Sequence, residues 1–94
     1  MLSIISAKYE NNYTLQVKFN DGKEGMADLR EFIFNDKLKP FSPLKDIEKF
    51  KNFTIDYTIK WSDELDIAPE YLYFKAFEHE EILQTKFQEW GYAV

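Results

Sequence analysis

Three features of the sequence predict one small α+β domain. Residues 13–19 alternate between apolar and polar side chains, which is the pattern of a half-buried β-strand. An Asn-Asp-Gly turn follows at 20–22, and Asp-Gly favours a tight hairpin because it tolerates positive φ. From Pro69 to Trp90, apolar residues recur at helical spacing. We therefore predict a small antiparallel sheet, made of an N-terminal three-stranded meander plus a later strand, packed with short helices and a C-terminal helix.

The predicted meander occupies the first third of the chain. Its first strand covers residues 3–9 and is followed by a polar turn at 10–12. The third strand is predicted to return antiparallel over about 23–28. The apolar face of the first strand is predicted to contain Ile5, Ala7 and Tyr9.

The middle of the chain is predicted to form short helical pieces. Residues 29–34 have helical apolar spacing, and the preceding Asp28 is suited to cap that short helix. Pro40 and Pro43 exclude a regular α-helix through this part of the chain. A further helical turn, beginning near 42–45, is predicted from three apolar residues at i, i+3 and i+6, namely Leu44, Ile47 and Phe50.

Residues 53–61 and 69–90 each allow two interpretations. Strict alternation from Phe53 to Trp61 predicts one long strand, and a tight hairpin near 56–58 is the alternative. Like charges crowd at 78–81, so residues 69–90 form either one helix or two.

The ends of this helical region carry recognisable signals. Pro69 is suited to the first helical turn, where its missing N–H is no loss. Asp66 can cap the helix or complement its dipole, and Gly91 is a natural stop.

The composition fits one domain, residues 1–94, stabilised by packing alone. The chain is 45% hydrophobic and 18% aromatic, which is enough material for one dense core. It contains no cysteine, which excludes disulfides and thiolate chemistry and fits a reducing cytoplasm. No apolar run approaches the roughly 20 residues that span a bilayer. We therefore expect a soluble cytoplasmic protein without membrane contact.

Few residues are available for catalysis, and we predict that the chain is not an enzyme. Common hydrolytic mechanisms pair a nucleophile with a base, whereas the one histidine here, His79, lies among glutamates on a predicted helix. Asp63, Glu64 and Asp66 lack the glycine and alternating spacing of a calcium loop. We expect no cofactor and no metal site.

The uneven charge distribution bears on the choice of partner. Residues 1–60 carry a net charge of +1, and residues 61–94 carry −6. A negative chain repels phosphate backbones, which argues against nucleic acid. The leading hypothesis is therefore a protein-interaction module that binds a basic protein partner or a second copy of itself. The residues predicted to form its surface are Trp61, Asp66, Tyr73, Phe87, Trp90 and Tyr92.

Two alternatives remain open from the residues alone. A nucleic-acid-associated regulator would use the lysine-bearing region 37–51. A small-ligand binder would use Trp61, Asp63 and Asp66, and would need them to meet in one concave pocket.

A set of ordered motifs resembles a known family. The motifs are Phe19-Asn20-Asp21-Gly22, Asp28-Leu29, Phe41 to Asp46 with Phe50, Trp61, and Asp66 to Tyr73 (DIAPEYLY). Together they resemble the bacterial family called domain of unknown function 2442 over about residues 1–74, the predicted family-like body, with 75–94 as a C-terminal helical extension. The sequence departs from the family pattern at 53–61, which is shortened and lacks a turn glycine, and at 62–65, where the usual glycine after the tryptophan is replaced.

The resemblance implies a small α+β fold and no established catalytic or ligand residues. Some relatives look fused to a helix-turn-helix, and others are encoded beside a small companion protein in arrangements similar to toxin–antitoxin pairs. An antitoxin-like pairing with a companion protein is therefore what the resemblance implies for this chain, by analogy.

Overall fold

The computed structural model describes residues 1–93 and confirms an α+β fold with an N-terminal meander. Strands β1 (Ile4–Asn11), β2 (Thr14–Phe19) and β3 (Glu24–Asp28) form an antiparallel sheet in the order β1-β2-β3. The buried face of β2 follows the predicted alternation, because Leu15, Val17 and Phe19 are fully buried.

The two turns of the meander use positive φ in different places. Asn12 and Tyr13 both have positive φ, 48° and 64°, between β1 and β2. In the β2–β3 turn only Gly22 has positive φ, 89°, and its N–H donates to the carbonyl of Phe19 at 3.0 Å. The turn at 20–22 is thus a three-residue loop with glycine in the left-handed position, not the type I′ turn that Asp-Gly suggested.

A β-bulge near the start of β1 overturns part of the predicted face. The register with β2 shifts between Ile4 and Ser6. The regular alternation of side chains between the two faces of the sheet is therefore interrupted at this point. Ile4 is therefore 5% exposed, and Ile5, which was predicted to share a face with Ala7 and Tyr9, is 56% exposed.

Short helices cover the middle of the chain, as predicted. Helix α1 (Arg30–Ile33) follows Asp28, whose carboxylate accepts a hydrogen bond from the Arg30 N–H at 3.0 Å. A 3₁₀ helix at Lys39–Lys45 contains both prolines, and α2 (Ile47–Lys51) is capped by Asp46. The regular helix thus starts later than the predicted 42–45, after a segment that proline keeps out of the α-helical hydrogen-bond pattern.

A second antiparallel sheet replaces the predicted long strand at 53–61. It consists of β4 (Thr54–Asp56), β5 (Thr58–Ser62) and β6 (Leu65–Ile67), in that order. The alternative hairpin is the correct interpretation, because Tyr57 takes φ 54° and lets Asp56 pair with Thr58. The third strand of this sheet was not predicted. One hydrogen bond between the sheets joins the Ile4 N–H to the Tyr57 carbonyl at 2.7 Å.

The C-terminal region forms two helices, which settles the open alternative. Helix α3 (Pro69–Phe77) is separated from α4 (Gln84–Glu89) by a turn at 78–80 and a 3₁₀ helix at Glu81–Leu83. Ala68 occupies the N-cap of α3 and no side chain caps the helix, so Asp66 is not its cap. Gly91 ends α4 with φ 86°, as predicted.

One hydrophobic core connects both sheets and both C-terminal helices. It includes side chains from every layer, namely Phe19, Phe50, Ile59, Leu72 and Phe87. Gly25 allows α3 to lie close against β3, since a Cβ at that position would be 2.7 Å from the Phe77 ring. Within residues 1–93, no helix is both long and apolar enough to cross a bilayer.

Candidate functional site

A cleft lies between the β4–β5 hairpin and the start of α3. We call it the Tyr57 cleft. It has a volume of about 560 Å³. Its apolar walls are Met1, Leu2, Tyr57, Ala68 and Pro69, and its two carboxylates belong to Asp66 and Glu70. The cleft thus combines apolar contact area with negative charge.

Tyr57 is held at this cleft by an unusual backbone conformation. Its φ of 54° lies in the left-handed region, where a bulky side chain costs about 1–2 kcal/mol. Tyr57 is 56% exposed, and its carbonyl accepts a hydrogen bond from the Ile4 N–H. The hairpin therefore displays an aromatic ring at a position that Gly or Asn would occupy with less strain.

The two carboxylates come from neighbouring elements. Asp66 lies in β6 and is exposed, and Glu70 lies in the first turn of α3. A carboxylate in the first helical turn is stabilised by the partial positive charge of the unpaired N–H groups. Glu70 also lies close enough to Tyr92 that its charge adds to burial in raising the pKa of the Tyr92 phenol.

A second, smaller cleft of about 340 Å³ shares Met1 and Leu2 with the Tyr57 cleft. Asn20 holds this N-terminal segment, because its side chain accepts from the Ser3 N–H at 3.0 Å and donates to the Met1 carbonyl at 2.6 Å. The smaller cleft is also lined by four residues from the β2–β3 turn and the C-terminal helices, Asp21, Tyr73, Lys86 and Trp90.

A hydrogen bond between Tyr73 and Asp21 ties α3 to the β2–β3 turn. The Tyr73 hydroxyl donates to the Asp21 carboxylate at 2.8 Å. Burial, together with this bond, raises the pKa of Tyr73 to about 12. Burial acts to raise the pKa of Asp21 as well, but hydrogen bonds from the Lys23 N–H and the Tyr73 hydroxyl outweigh it and lower that pKa.

The Tyr73 pKa makes a prediction for alkaline stability. The folded-state value of about 12 exceeds the unfolded value of about 10, so the unfolded chain releases this proton first. The resulting stability is complete below about pH 10 and is lost as the pH rises through about 12. Tyr73→Phe should flatten the decline of the unfolding free energy in this window, measured by urea denaturation. Equal slopes for wild type and Tyr73→Phe would contradict the assignment.

The six residues predicted as an interaction surface do not form one surface. Phe87 and Tyr73 are 0% and 2% exposed, so they are core residues and offer almost no contact area. Trp61 packs on Phe50, with ring centroids 5.7 Å apart, and its Nε1–H donates to the Phe50 carbonyl. Asp66 lies in the Tyr57 cleft, and Trp90 lies in the smaller cleft.

Tyr92, the sixth of these residues, does not line either cleft. It is partly buried and stacks on Phe74, with centroids 5.3 Å apart. The charge of Glu70, which lines the Tyr57 cleft, adds to burial in raising the pKa of Tyr92.

The residues predicted for small-ligand binding do not converge. Trp61 is partly buried and packs against the hydrophobic core, the Asp63 side chain is 97% exposed beside Lys60, and Asp66 lines the Tyr57 cleft. His79 is 95% exposed, which agrees with its interpretation as a surface residue. Residues 1–93 contain no group of three or more acidic or histidine side chains placed to hold a metal ion.

The lysine-bearing region 37–51 contains cations that contact aromatic rings of the same chain. Lys45 and Arg30 lie over the Phe34 ring, at 5.6 and 4.5 Å from its centroid. Lys51 lies over Tyr9 at 5.6 Å and pairs with Glu48. Lys45 and Lys51, together with the neighbouring Arg30, are thus already engaged within the chain.

The geometry can be compared with known proteins. The model of a family described as a protein of unknown function, DUF2442, matches residues 4–78. The chain belongs to this family. The DUF2442 match covers the meander, the second sheet and α3, and it extends slightly beyond the predicted limit of 74. Neither the curated proteins nor the solved structures gave a match.

The DUF2442 region contains most of the Tyr57 cleft, including residues that sequence reasoning missed. Tyr57 was interpreted as an apolar position of a long strand and Pro69 only as a helix-start residue, and no role was predicted for Glu70. One signal in the sequence did point to Tyr57. The 53–61 segment is short and has no turn glycine, so any hairpin there forces a residue with a side chain into positive φ.

Proposed function

We propose that this chain is a protein-interaction module without a catalytic role, and that a segment of a partner protein binds in the Tyr57 cleft. The observation that supports the proposal is the exposed Tyr57 ring, held at the cleft in a strained backbone conformation. Strain at a displayed side chain points to a use for that side chain, because folding alone would favour Gly or Asn there.

The composition of the cleft supports protein binding more than chemistry. Tyrosine is enriched among the residues that contribute most to protein interfaces, because it offers a large apolar ring with a polar tip. Leu2, Ala68 and Pro69 add apolar wall, and a cleft of about 560 Å³ accommodates a few side chains of a peptide. The lining includes no histidine and no nucleophile beside a base.

A displayed library of random short peptides tests this proposal even though the partner is unidentified. Selection on the wild-type chain should enrich binders, and Tyr57→Asn should weaken the enriched peptides by at least about tenfold. Asparagine tolerates positive φ, so Tyr57→Asn should fold with unchanged or higher stability. Circular dichroism and thermal denaturation check that point.

The matched control is Ile82→Ala. Ile82 is 87% exposed and lies in the 3₁₀ helix between α3 and α4, outside the Tyr57 cleft. This variant removes exposed apolar surface elsewhere on the chain and should leave binding unchanged. Absence of enrichment, or enriched peptides that bind Tyr57→Asn as well as wild type, would refute the proposal. Self-association that Tyr57→Asn abolishes would instead place a second copy in the cleft and would overturn it.

A further inference from the structure

We infer that the segment bound in the Tyr57 cleft is basic, with a Lys or Arg side chain next to an apolar residue. This inference rests on the proposed function and specifies the chemistry of the partner at the same site. A basic side chain would complement the negative charge of Asp66 and Glu70 in the lining of the cleft.

The lining of the cleft includes two acidic residues, Asp66 and Glu70. Within residues 1–93, neither Asp66 nor Glu70 has a Lys, Arg or His nitrogen, or the Met1 amino nitrogen, within 4.0 Å. Both carboxylates therefore remain without an ion pair within residues 1–93, although Met1, which carries the amino terminus, also lines the cleft.

The nearest candidate cation on the same sheet is directed elsewhere. Lys60 stands opposite Asp66 in the β5–β6 register, yet its Nζ lies 3.3 Å from the Asp56 carboxylate and 3.2 Å from the Asp63 carboxylate. Hydrogen bonds to Asp63 and Asp56 raise the pKa of Lys60 and favour its charged form. Because two other carboxylates hold Lys60, Asp66 remains available to a cation from outside.

The apolar walls suit the rest of a basic side chain. Lys and Arg place a methylene stem along apolar surface while the charged head reaches polar groups. Here Leu2, Ala68 and Pro69 supply that surface, and the Tyr57 ring supplies a face for a cation. A volume of about 560 Å³ leaves room for an apolar neighbour beside the basic side chain.

Charge from the wider surroundings acts in the same direction. Residues 61–94 carry a net charge of −6, and they include both carboxylates and the whole of α3. A negative field attracts a basic segment and repels an acidic one. The apolar walls also exclude part of the water, which strengthens the attraction between a bound cation and the two carboxylates.

The experiment uses the peptides selected on the wild-type chain. The enriched sequences should contain Lys or Arg beside an apolar residue more often than the unselected library. Asp66→Asn and Glu70→Gln should each weaken the best peptide by about threefold to tenfold, measured by fluorescence anisotropy at low salt. Glu64→Gln is the matched control, because it removes one exposed charge from the β5–β6 turn outside the cleft lining, and it should leave affinity unchanged.

A charge reversal gives the sharper result. The double variant Asp66→Lys with Glu70→Lys should lose the basic peptides and bind versions in which Glu replaces Lys or Arg. If selected peptides require Tyr57 but show no excess of Lys or Arg, or ignore the carboxylate variants, this inference is wrong and the interaction module stands. If no peptide requires Tyr57, the proposed function itself fails.

Discussion

Replacing Phe87 with alanine is expected to lower the free energy of unfolding by about 3–5 kcal/mol. Phe87 is fully buried although it lies in the last helix, and its ring contacts those of Phe74 and Trp90 at centroid distances of 5.1 and 6.0 Å. Truncation removes these contacts and leaves a cavity. Because small domains have only about 5–15 kcal/mol of stability, the loss should be obvious in a urea or thermal unfolding curve.

The result decides whether the residues beyond the DUF2442 match are part of the fold. The control is again Ile82→Ala, because Ile82 is exposed and lies between α3 and α4. Its truncation should change the free energy of unfolding by no more than about 0.5 kcal/mol. A Phe87→Ala variant as stable as the control would show that α4 contributes little to the stability of the core. Residues 75–94 would then be only an extension of the family-like body.

Replacing Trp61 with alanine is expected to cost about 3 kcal/mol, near the lower limit for aromatic truncation because the ring is only partly buried. The indole packs on Phe50 and approaches Phe41 edge-on, with centroids 6.4 Å apart. Its Nε1–H also donates to the Phe50 carbonyl at 2.8 Å. Trp61 therefore connects the second sheet to α2 through ring packing and a hydrogen bond.

A second variant separates ring packing from the hydrogen bond. Trp61→Phe keeps an aromatic ring but lacks the donor, so it should cost only about 1 kcal/mol. Both values come from chemical denaturation followed by circular dichroism. If Trp61→Ala were as stable as the wild type, Trp61 would not stabilise the fold, and its predicted role as an interaction-surface residue would be favoured.

Local patterns predicted the meander well because its strands pair with sequence neighbours. The alternation of β2 and the glycine at the β2–β3 turn are both readable from the sequence, and both elements form. The same alternation at 53–61 misled the prediction, since one residue with positive φ divides the strand without disturbing the apolar pattern. The bulge between Ile4 and Ser6 also left no clear signal, because it depends on pairing with a partner strand.

The candidate site was harder to predict for a related reason. Aromatic residues suit both cores and interfaces, so Phe87 and Tyr57 cannot be separated by composition. Only the tertiary structure shows that Phe87 is fully buried and that Tyr57 is 56% exposed. Of the six predicted surface residues, Asp66 alone lines the Tyr57 cleft. Its partners there come from the N-terminal segment, a hairpin and a helix start, which the fold brings together.

The proposed function requires binding at the Tyr57 cleft, and nuclear magnetic resonance tests that location directly. Nitrogen–proton correlation spectra of the labelled chain, recorded during titration with a selected basic peptide, report which backbone amides change environment. The largest shifts are expected at Leu2, Tyr57, Ala68 and Glu70. Shifts confined to region 37–51 or to α4, with none around Tyr57, would contradict binding at this cleft.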